Sequence, residues 1–167
     1  MVRRQDLGYN RGMKKKIIFL CSANYYRSRY AEHYFNWLAA REKLAWEADS
    51  RGLMVGFWGN IGPISQTTVD TLAERGIQVG DPPRHPIRLT LDDLAEADLV
   101  VAVKEAEHRA MMNEQFPHWE DRIEYWHIDD LDCVGPEEAL PKLEQHVHAL
   151  VHRLRAAEGR HATQKAG

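Results

Sequence analysis

Short apolar runs alternate along the chain with stretches that have a helical hydrophobic period. Four runs are typical of buried strands, and they cover Lys16–Leu20, Trp46–Ser50, Asp98–Val103 and Arg122–Ile128. Between them, apolar residues recur every three or four positions, as in amphipathic helices. Helices are predicted over Ser28–Leu44, Ser65–Arg75, a short segment after Thr90, Glu105–Gln115 and a final stretch with Leu143, Val147, Leu150, Val151 and Leu154 on one face.

Local signals at the helix ends support these predictions. Ser65 is a suitable N-cap residue, and Gly76 follows the same helix as a stop signal. Thr90 with Asp93 resembles a capping box. Strand–helix alternation with short connections predicts an α/β fold, a four-stranded parallel sheet with helices on both faces in a single domain. Ligands of such sheets bind beyond the carboxyl ends of the strands.

Composition and charge narrow the class of protein. The 167 residues fit one domain, and 44% hydrophobic with 28% charged residues is an ordinary globular balance. A net charge of −3 speaks against nucleic acid or an anionic membrane as partner, and no apolar run is long enough to span a bilayer. The two cysteines, Cys21 and Cys133, are expected to be free thiols, so we predict a cytoplasmic protein.

The ends of the chain differ from its middle. Residues 1–12 are polar and are predicted to be a flexible N-terminal extension, followed by a folded domain over 13–157. Residues 158–167 are small and polar and are predicted to be a flexible C-terminal tail. We expect a monomer or a weak homodimer.

The segment CSANYYRS, Cys21–Ser28, connects the first predicted strand to the first predicted helix. Backbone amides of such a loop can form an anion-binding nest, and the start of the following helix adds positive potential. The fork of donors on Arg27 suits two oxygens of a phosphate. All three groups favour the thiolate of Cys21, which makes it a nucleophile. We therefore predict a phosphate-binding loop after the first strand.

This segment resembles the phosphate loop of the low-molecular-weight protein tyrosine phosphatases. In that family the loop reads Cys, two residues, Asn, one residue, Cys, Arg, Ser, and then Pro-Met-Ala-Glu. The residues that match are Cys21, Asn24, Arg27, Ser28, Ala31 and Glu32. The resemblance extends over about Lys15–Arg155, with ADSRG in place of the family's Ser-Ala-Gly segment and with Ser50 near the loop.

The resemblance implies roles for the loop residues. Cys21 is expected to be the nucleophile and Arg27 the phosphate clamp, with Asn24 in a strained turn and the Ser28 hydroxyl bonded to the thiolate. His85, in a His-x-x-Arg element, is expected to support Asn24. The substrate-binding residues are expected to be Ser22, Ala23, Asn24, Tyr25, Tyr26 and Ser28. In the family an aromatic residue of the next loop walls the substrate ring, so Phe57 or Trp58 is expected either to take this place or to be an ordinary surface or core aromatic.

Several positions depart from the family pattern. The usual second loop cysteine is Tyr26, so a vicinal disulfide cannot protect Cys21. Ala23 replaces a common Gly, and Arg29 and Tyr30 replace the Pro-Met pair. These changes bear on substrate preference more than on the type of reaction.

The proton donor is expected on the loop YWHIDDLDCVGPEE, where the family has an Asp followed by Pro. No Asp is followed by Pro here. Alignment with the family favours Asp130, with Asp129 as the runner-up and Asp132 third. Adjacent carboxylates suit this role, since one ionised neighbour raises the pKa of the other. Cys133 lies beside this loop and is expected to be a bystander thiol.

These residues predict a cysteine-dependent phosphotyrosine phosphatase that works through a phosphocysteine, without metal or cofactor. Its partner is a phosphorylated protein or a small phosphoester. The alternatives are a thiol-dependent arsenate reductase, which usually needs more cysteines, and a phosphate-binding module without turnover. His146, His148 and His152 on the final helix are expected to form a solvated face rather than a metal site.

Overall fold

The computed structural model describes residues 13–131 and 133–165, with side chains described as far as residue 160. The predicted extension 1–12 therefore lies outside the described residues, as does Asp132. Within them, no helix is both long and apolar enough to cross a membrane.

Four strands form one parallel sheet in the order β2-β1-β3-β4. They are β1 (Lys15–Cys21), β2 (Trp46–Gly52), β3 (Leu99–Ala102) and β4 (Glu124–Tyr125). The helices are α1 (Arg27–Arg41), α2 (Gln66–Glu74), α3 (Leu91–Glu96), α4 (Glu105–Gln115) and α5 (Pro136–Lys165), with a 3₁₀ turn at Pro117–Trp119. The predicted fold class is confirmed.

Strand β1 is central and buried on both faces, which explains its continuous apolar sequence. Ile17 and Phe19 point into a cluster formed with residues of α1, α2 and α5. Ile18 and Leu20 point the other way, into a cluster with residues of α3 and α4. The two-residue period of the strand therefore divides the core into two layers, and Cys21 lies at the strand's carboxyl end.

Most predicted boundaries agree with the structure within a few residues, and α4 has the predicted limits. The capping box of Thr90 and Asp93 is present. Helix α1 ends at Arg41 rather than Leu44, because Lys43 adopts a φ of 53° and the Leu44 amide turns back to the Ala39 carbonyl. Ser65 holds the N-cap position of α2 without a side-chain capping hydrogen bond.

The fourth strand is much shorter than predicted. β4 is at the edge of the sheet, so β3 is its one neighbouring strand, and β3 is itself four residues long. Strand pairing with β3 is limited to Glu124 and Tyr125. The chain beyond it still bonds to the sheet, through Ile128 N to the Val103 carbonyl at 2.7 Å. At the other end of the domain, α5 continues into the segment 158–167, and the mobility of that segment stays a prediction.

Candidate active site

The loop between β1 and α1 surrounds a buried sulfur. Cys21 is 3% exposed, and its Sγ lies 2.9 Å from the Ser28 Oγ, as the resemblance implied. Asn24 has a φ of 53°, so the strained turn is also present. Helix α1 begins at Arg27, which directs its positive end toward the loop.

The Asn24 side chain holds the loop in this conformation. Its Nδ2 donates to Ser28 Oγ and to Ser50 Oγ, both at 2.9 Å. Its Oδ1 accepts from the Ile87 amide at 3.0 Å and from a guanidinium described next. Asn24 is fully buried, so these bonds satisfy the polar atoms of its side chain and stabilise the positive φ.

Arg84, rather than His85, supports Asn24. The Nη1 of Arg84 donates to Asn24 Oδ1 at 3.0 Å, while its Nη2 bonds Glu32 at 2.8 Å and Ser50 Oγ at 2.9 Å. The expectation for His85 was therefore wrong by one residue. Arg84 and His85 are adjacent, and the sequence pattern alone does not show which of the two side chains contacts Asn24.

Arg27 is almost completely buried, at 1% exposure, and both of its terminal nitrogens have acceptors. Nη1 donates to the Ile128 carbonyl at 3.0 Å, and both Nη atoms contact Glu107 at 3.1–3.2 Å. Nη2 also lies 3.3 Å from Asp130 Oδ2. Burial opposes the charge, but the nearby Cys21, Glu107 and Asp130 outweigh it and raise the pKa of Arg27.

Sequence reasoning missed Glu107, which lies in the first turn of α4. It accepts hydrogen bonds from Arg27 and from the Ser22 hydroxyl. Burial favours its neutral form, yet the bonds from His108, Arg27 and Ser22 prevail and hold the pKa of Glu107 well below its usual range. Its one signal in the sequence is its place shortly after β3, whose carboxyl end neighbours that of β1.

His108, also on α4, hydrogen bonds to the same network through Ser22. It is fully buried, its Nδ1 accepts from the Lys104 amide at 3.1 Å, and its Nε2 lies 3.1 Å from Ser22 Oγ. An Nδ1 that accepts from a backbone amide leaves the proton of the neutral ring on Nε2. Burial lowers the pKa of His108, so the neutral ring donates to Ser22.

The two candidate acids face different partners. Asp130 lines the pocket above Cys21 and approaches Arg27. Asp129 pairs instead with Lys104 Nζ at 2.7 Å, and that contact lowers the pKa of Asp129. Asp132 lies outside the described residues. Cys133 bonds through its amide to the Asp130 carbonyl at 3.0 Å and lies 3.8 Å from Lys104 Nζ through its sulfur.

A cavity of about 340 Å³ opens above the loop. Cys21 and Arg27 are nearly fully buried and form its inner end, whereas Trp58 and Leu131 are each 47% exposed and form its mouth. Four predicted substrate-binding residues line it, namely Ser22, Ala23, Tyr25 and Tyr26; Asn24 and Ser28 are buried beside it. A larger cavity, of about 550 Å³, lies between β4 and α5 and does not include Cys21.

Two aromatic residues of different loops, Tyr26 and Trp58, line the cavity, and Phe57 lies next to Trp58. The Tyr26 hydroxyl is buried without a hydrogen-bond partner among the described residues, and burial, together with Asp130, raises the pKa of Tyr26 to about 12. The phenol therefore stays neutral. Trp58 is the aromatic residue that walls the pocket, and Phe57 packs against it with ring centroids 5.6 Å apart.

Arg29, at the position of the family's proline, is a buried arginine that does not line the cavity. It is 1% exposed and donates to the carbonyls of Asn24 at 3.4 Å, Pro63 at 3.0 Å and Arg84 at 2.7 Å. Burial, and then the charge of Arg84, lowers the pKa of Arg29 to about 10. Arg29 thus fastens two loops to the phosphate loop, which no local sequence pattern indicated.

The histidines of the final helix have structural contacts. Tyr34 and His148 Nε2 are hydrogen bonded at 2.8 Å, and His146 Nδ1 lies 2.8 Å from the Lys142 carbonyl. Across the part of the chain that the structure describes, no group of three or more metal-binding side chains is present.

A parallel α/β fold with a buried cysteine and an arginine at the two ends of one loop is the arrangement of a phosphate-binding loop with a cysteine nucleophile. The sequence pattern of the low molecular weight phosphotyrosine protein phosphatases matches residues 16–159. The chain belongs to this family, and the resemblance stated from its motif is confirmed.

Solved structures agree with this assignment. A YwlE mutant from Bacillus subtilis is 27% identical, with a TM-score of 0.70, covering 85% of this chain and 99% of its own. A low molecular weight protein tyrosine phosphatase from T. tengcongensis is 27% identical, with a TM-score of 0.68 and coverage of 86% and 99%. A YwlE arginine phosphatase with a phosphorylated active-site serine is 25% identical, with a TM-score of 0.68 and coverage of 84% and 95%. Among curated proteins, no sequence that matches this chain was found.

Proposed function

We propose that this phosphatase hydrolyses phosphotyrosine in proteins, through a phosphocysteine on Cys21. The observation that carries the proposal is the shape of the cavity. Its inner end holds a sulfur and a guanidinium, which suit a phosphoryl group, and its sides are formed by Tyr25, Trp58 and Leu131. Flat and apolar walls above an anion site fit a phenyl ring, because they bury its faces while the phosphate reaches the charged end.

In the first step the Cys21 thiolate attacks phosphorus in line with the leaving oxygen. The S–P bond forms as the P–O bond to the phenol breaks, and Arg27 and the loop amides bind the equatorial oxygens. Asp130 gives its proton to the departing oxygen, which leaves as tyrosine. The observation that supports Asp130 in this role is its place in the lining of the cavity that holds Cys21 and Arg27.

In the second step the Asp130 carboxylate takes a proton from water as the water oxygen attacks phosphorus. The S–P bond breaks, inorganic phosphate leaves, and the thiolate and the protonated carboxyl group are restored. The Ser28 hydroxyl, 2.9 Å from Cys21 Sγ, stabilises the sulfur as leaving group by donating a hydrogen bond. Asp129 is the weaker candidate for the acid, because its carboxylate is held by Lys104.

Phosphoarginine is the second candidate substrate, favoured by the similarity to the YwlE arginine phosphatase. The aromatic and aliphatic side chains of Tyr25, Trp58 and Leu131 in the pocket lining favour tyrosine. A cytoplasmic location and a monomer or weak dimer stay predictions.

The test compares p-nitrophenyl phosphate, a phosphotyrosine peptide and a phosphoarginine peptide of the same sequence. We expect hydrolysis of the first two, a lower kcat/KM for phosphoarginine, and a trapped phosphoenzyme on rapid acid quench. Cys21→Ser should abolish turnover while keeping phosphate binding. Turnover that survives Cys21→Ser would contradict the mechanism, and binding of phosphate without any turnover by the wild type would favour a binding module.

A further inference from the structure

Four large apolar side chains on the two loops that carry Trp58 and Leu131 of the pocket lining are exposed. They form what we call the apolar rim: Phe57 at 73% exposure, Trp58 at 47%, Ile61 at 89% and Leu131 at 47%. Two of them, Trp58 and Leu131, also line the catalytic cavity, so the rim is continuous with it. A contiguous exposed apolar surface around a polar site is typical of an interaction surface.

Three members of the rim lie in a segment without charge. Residues 53–65, LMVGFWGNIGPIS, contain no Asp, Glu, Lys or Arg, although such residues make up 28% of the chain. A surface loop of ordinary composition would carry several. The segment itself therefore offers dispersion and desolvation to a partner but no ion pair.

The ends of this segment are bonded to the phosphate loop. The Leu53 amide donates to the Cys21 carbonyl at 3.0 Å, and the Met54 amide donates to the Ser22 carbonyl at 2.8 Å. At the other end the Ser65 amide donates to the Tyr25 carbonyl at 3.0 Å. The segment 53–65 is therefore hydrogen bonded at both ends to the loop that would hold the phosphoryl group.

The middle of the segment is fixed as well. The Tyr25 hydroxyl donates to the Ile61 carbonyl at 2.5 Å, and Arg29 donates to the Pro63 carbonyl at 3.0 Å. Gly59 and Gly62, with φ of 56° and 77°, supply the left-handed turns on either side of Ile61. A surface held in this way needs little further ordering when it binds, so its apolar contacts contribute more fully to affinity.

We propose, resting on the phosphotyrosine activity proposed above, that the apolar rim binds an apolar side chain two residues from the phosphotyrosine of an extended peptide. Successive side chains of an extended chain point to opposite faces, and each residue advances about 3.3–3.6 Å, so the second neighbour lies on the same side as the tyrosine and roughly 7 Å along the chain. Trp58 and Leu131 line the cavity that would hold the tyrosine, and Phe57 packs on Trp58 with ring centres 5.6 Å apart, so the rim extends outward from the pocket. The substrate class is then a phosphoprotein with aliphatic or aromatic flanks, rather than a small phosphoester.

The experiment uses the full chain and three probes. These are p-nitrophenyl phosphate and two phosphotyrosine peptides that differ only in having Leu or Ser at the second position on each side of the phosphotyrosine. We expect the wild type to prefer the Leu-flanked peptide by about tenfold in kcat/KM, because contacts of this size in an apolar site discriminate to that extent. The double variant Phe57→Ser/Ile61→Ser should reduce that ratio to about two or less.

The matched control is Leu91→Ser, since Leu91 is an exposed leucine, at 61%, on α3 and away from the cavity. Its peptide ratio should equal that of the wild type. Equal rates on both peptides, with Cys21-dependent hydrolysis of p-nitrophenyl phosphate, would overturn the rim proposal and leave the proposed function intact. A lack of hydrolysis of all three probes would instead overturn the proposed function.

A second copy of the chain is the other partner that the rim could bind. Size-exclusion chromatography of the wild type and the double variant decides this point. A wild-type dimer that becomes a monomer in the double variant, with an unchanged peptide ratio, would contradict the peptide proposal. A wild type that elutes as a monomer, with the ratio lost in the variant, supports it.

Discussion

Arg84 Nη1 donates a 3.0 Å hydrogen bond to Asn24 Oδ1, although 60 positions separate the two residues in the chain. The bond connects the segment before α3 to the phosphate loop and supports Asn24 in its left-handed conformation. Arg84 is therefore a positioning residue for the loop.

The substitution Arg84→Met should lower kcat/KM by roughly tenfold to a hundredfold, because a buried hydrogen bond to a charged group contributes about 1.5–3 kcal/mol. A double-mutant cycle with Asn24→Ala measures the coupling. If Arg84 acts through Asn24, the double variant should be hardly worse than Asn24→Ala alone, and the loss should fall on phosphate affinity as well as on kcat. Additive losses would contradict this, and Arg88→Met serves as the control.

The adjacent aspartates give the second prediction. Asp130→Asn should lower kcat on phenyl phosphate by about a hundredfold or more, which is the usual contribution of a general acid. The loss should be smaller on p-nitrophenyl phosphate, whose leaving group needs less protonation. Asp129→Asn should change either rate by less than threefold, since Asp129 pairs with Lys104 away from Arg27. The reverse order of effects would assign the acid to Asp129.

The third prediction concerns stability and pH at Glu107. Its folded-state pKa is depressed, so its charge stabilises the fold at pH values above the unfolded-state pKa of about 4.3, and this contribution is lost as the pH falls further. Glu107→Gln should therefore lower the Tm by several degrees at pH 7, and the difference from the wild type should shrink below pH 4.3. Circular dichroism melts at both pH values measure it. A difference that stays constant with pH would mean that the charge is irrelevant.

The fourth prediction concerns the buried Arg29. Arg29→Met leaves one buried and two partly buried carbonyls without this donor, and we expect a loss of about 3 kcal/mol in the free energy of unfolding. Arg29→Lys should recover part of this loss, because an ammonium can reach some of the same oxygens. Arg41→Met, an exposed arginine on the same helix, should cost less than 1 kcal/mol. Urea unfolding of the three variants provides the comparison.

The local sequence determined the elements and the chemistry of the loop. The apolar run of β1, the limits of α4 and the capping box of Thr90 with Asp93 follow from contacts between residues a few positions apart. Cys21 and Arg27 are also brought together by the local sequence, because both lie on the short connection between β1 and α1. Such features depend on nearby residues, so the sequence alone contains the information to predict them.

The tertiary structure decided the rest. Sheet order placed β3 beside β1, and this brought Glu107 onto Arg27. The hydrogen bonds of Gly52, at the end of β2, with Ile87 and Leu89 placed the segment of Arg84 beside Asn24. Which of Asp129 and Asp130 faces the pocket depends on the direction that the chain takes after β4, and both residues look alike in sequence. These relationships join parts of the chain that lie far apart in sequence, and only the packed fold brings their side chains within a few ångströms.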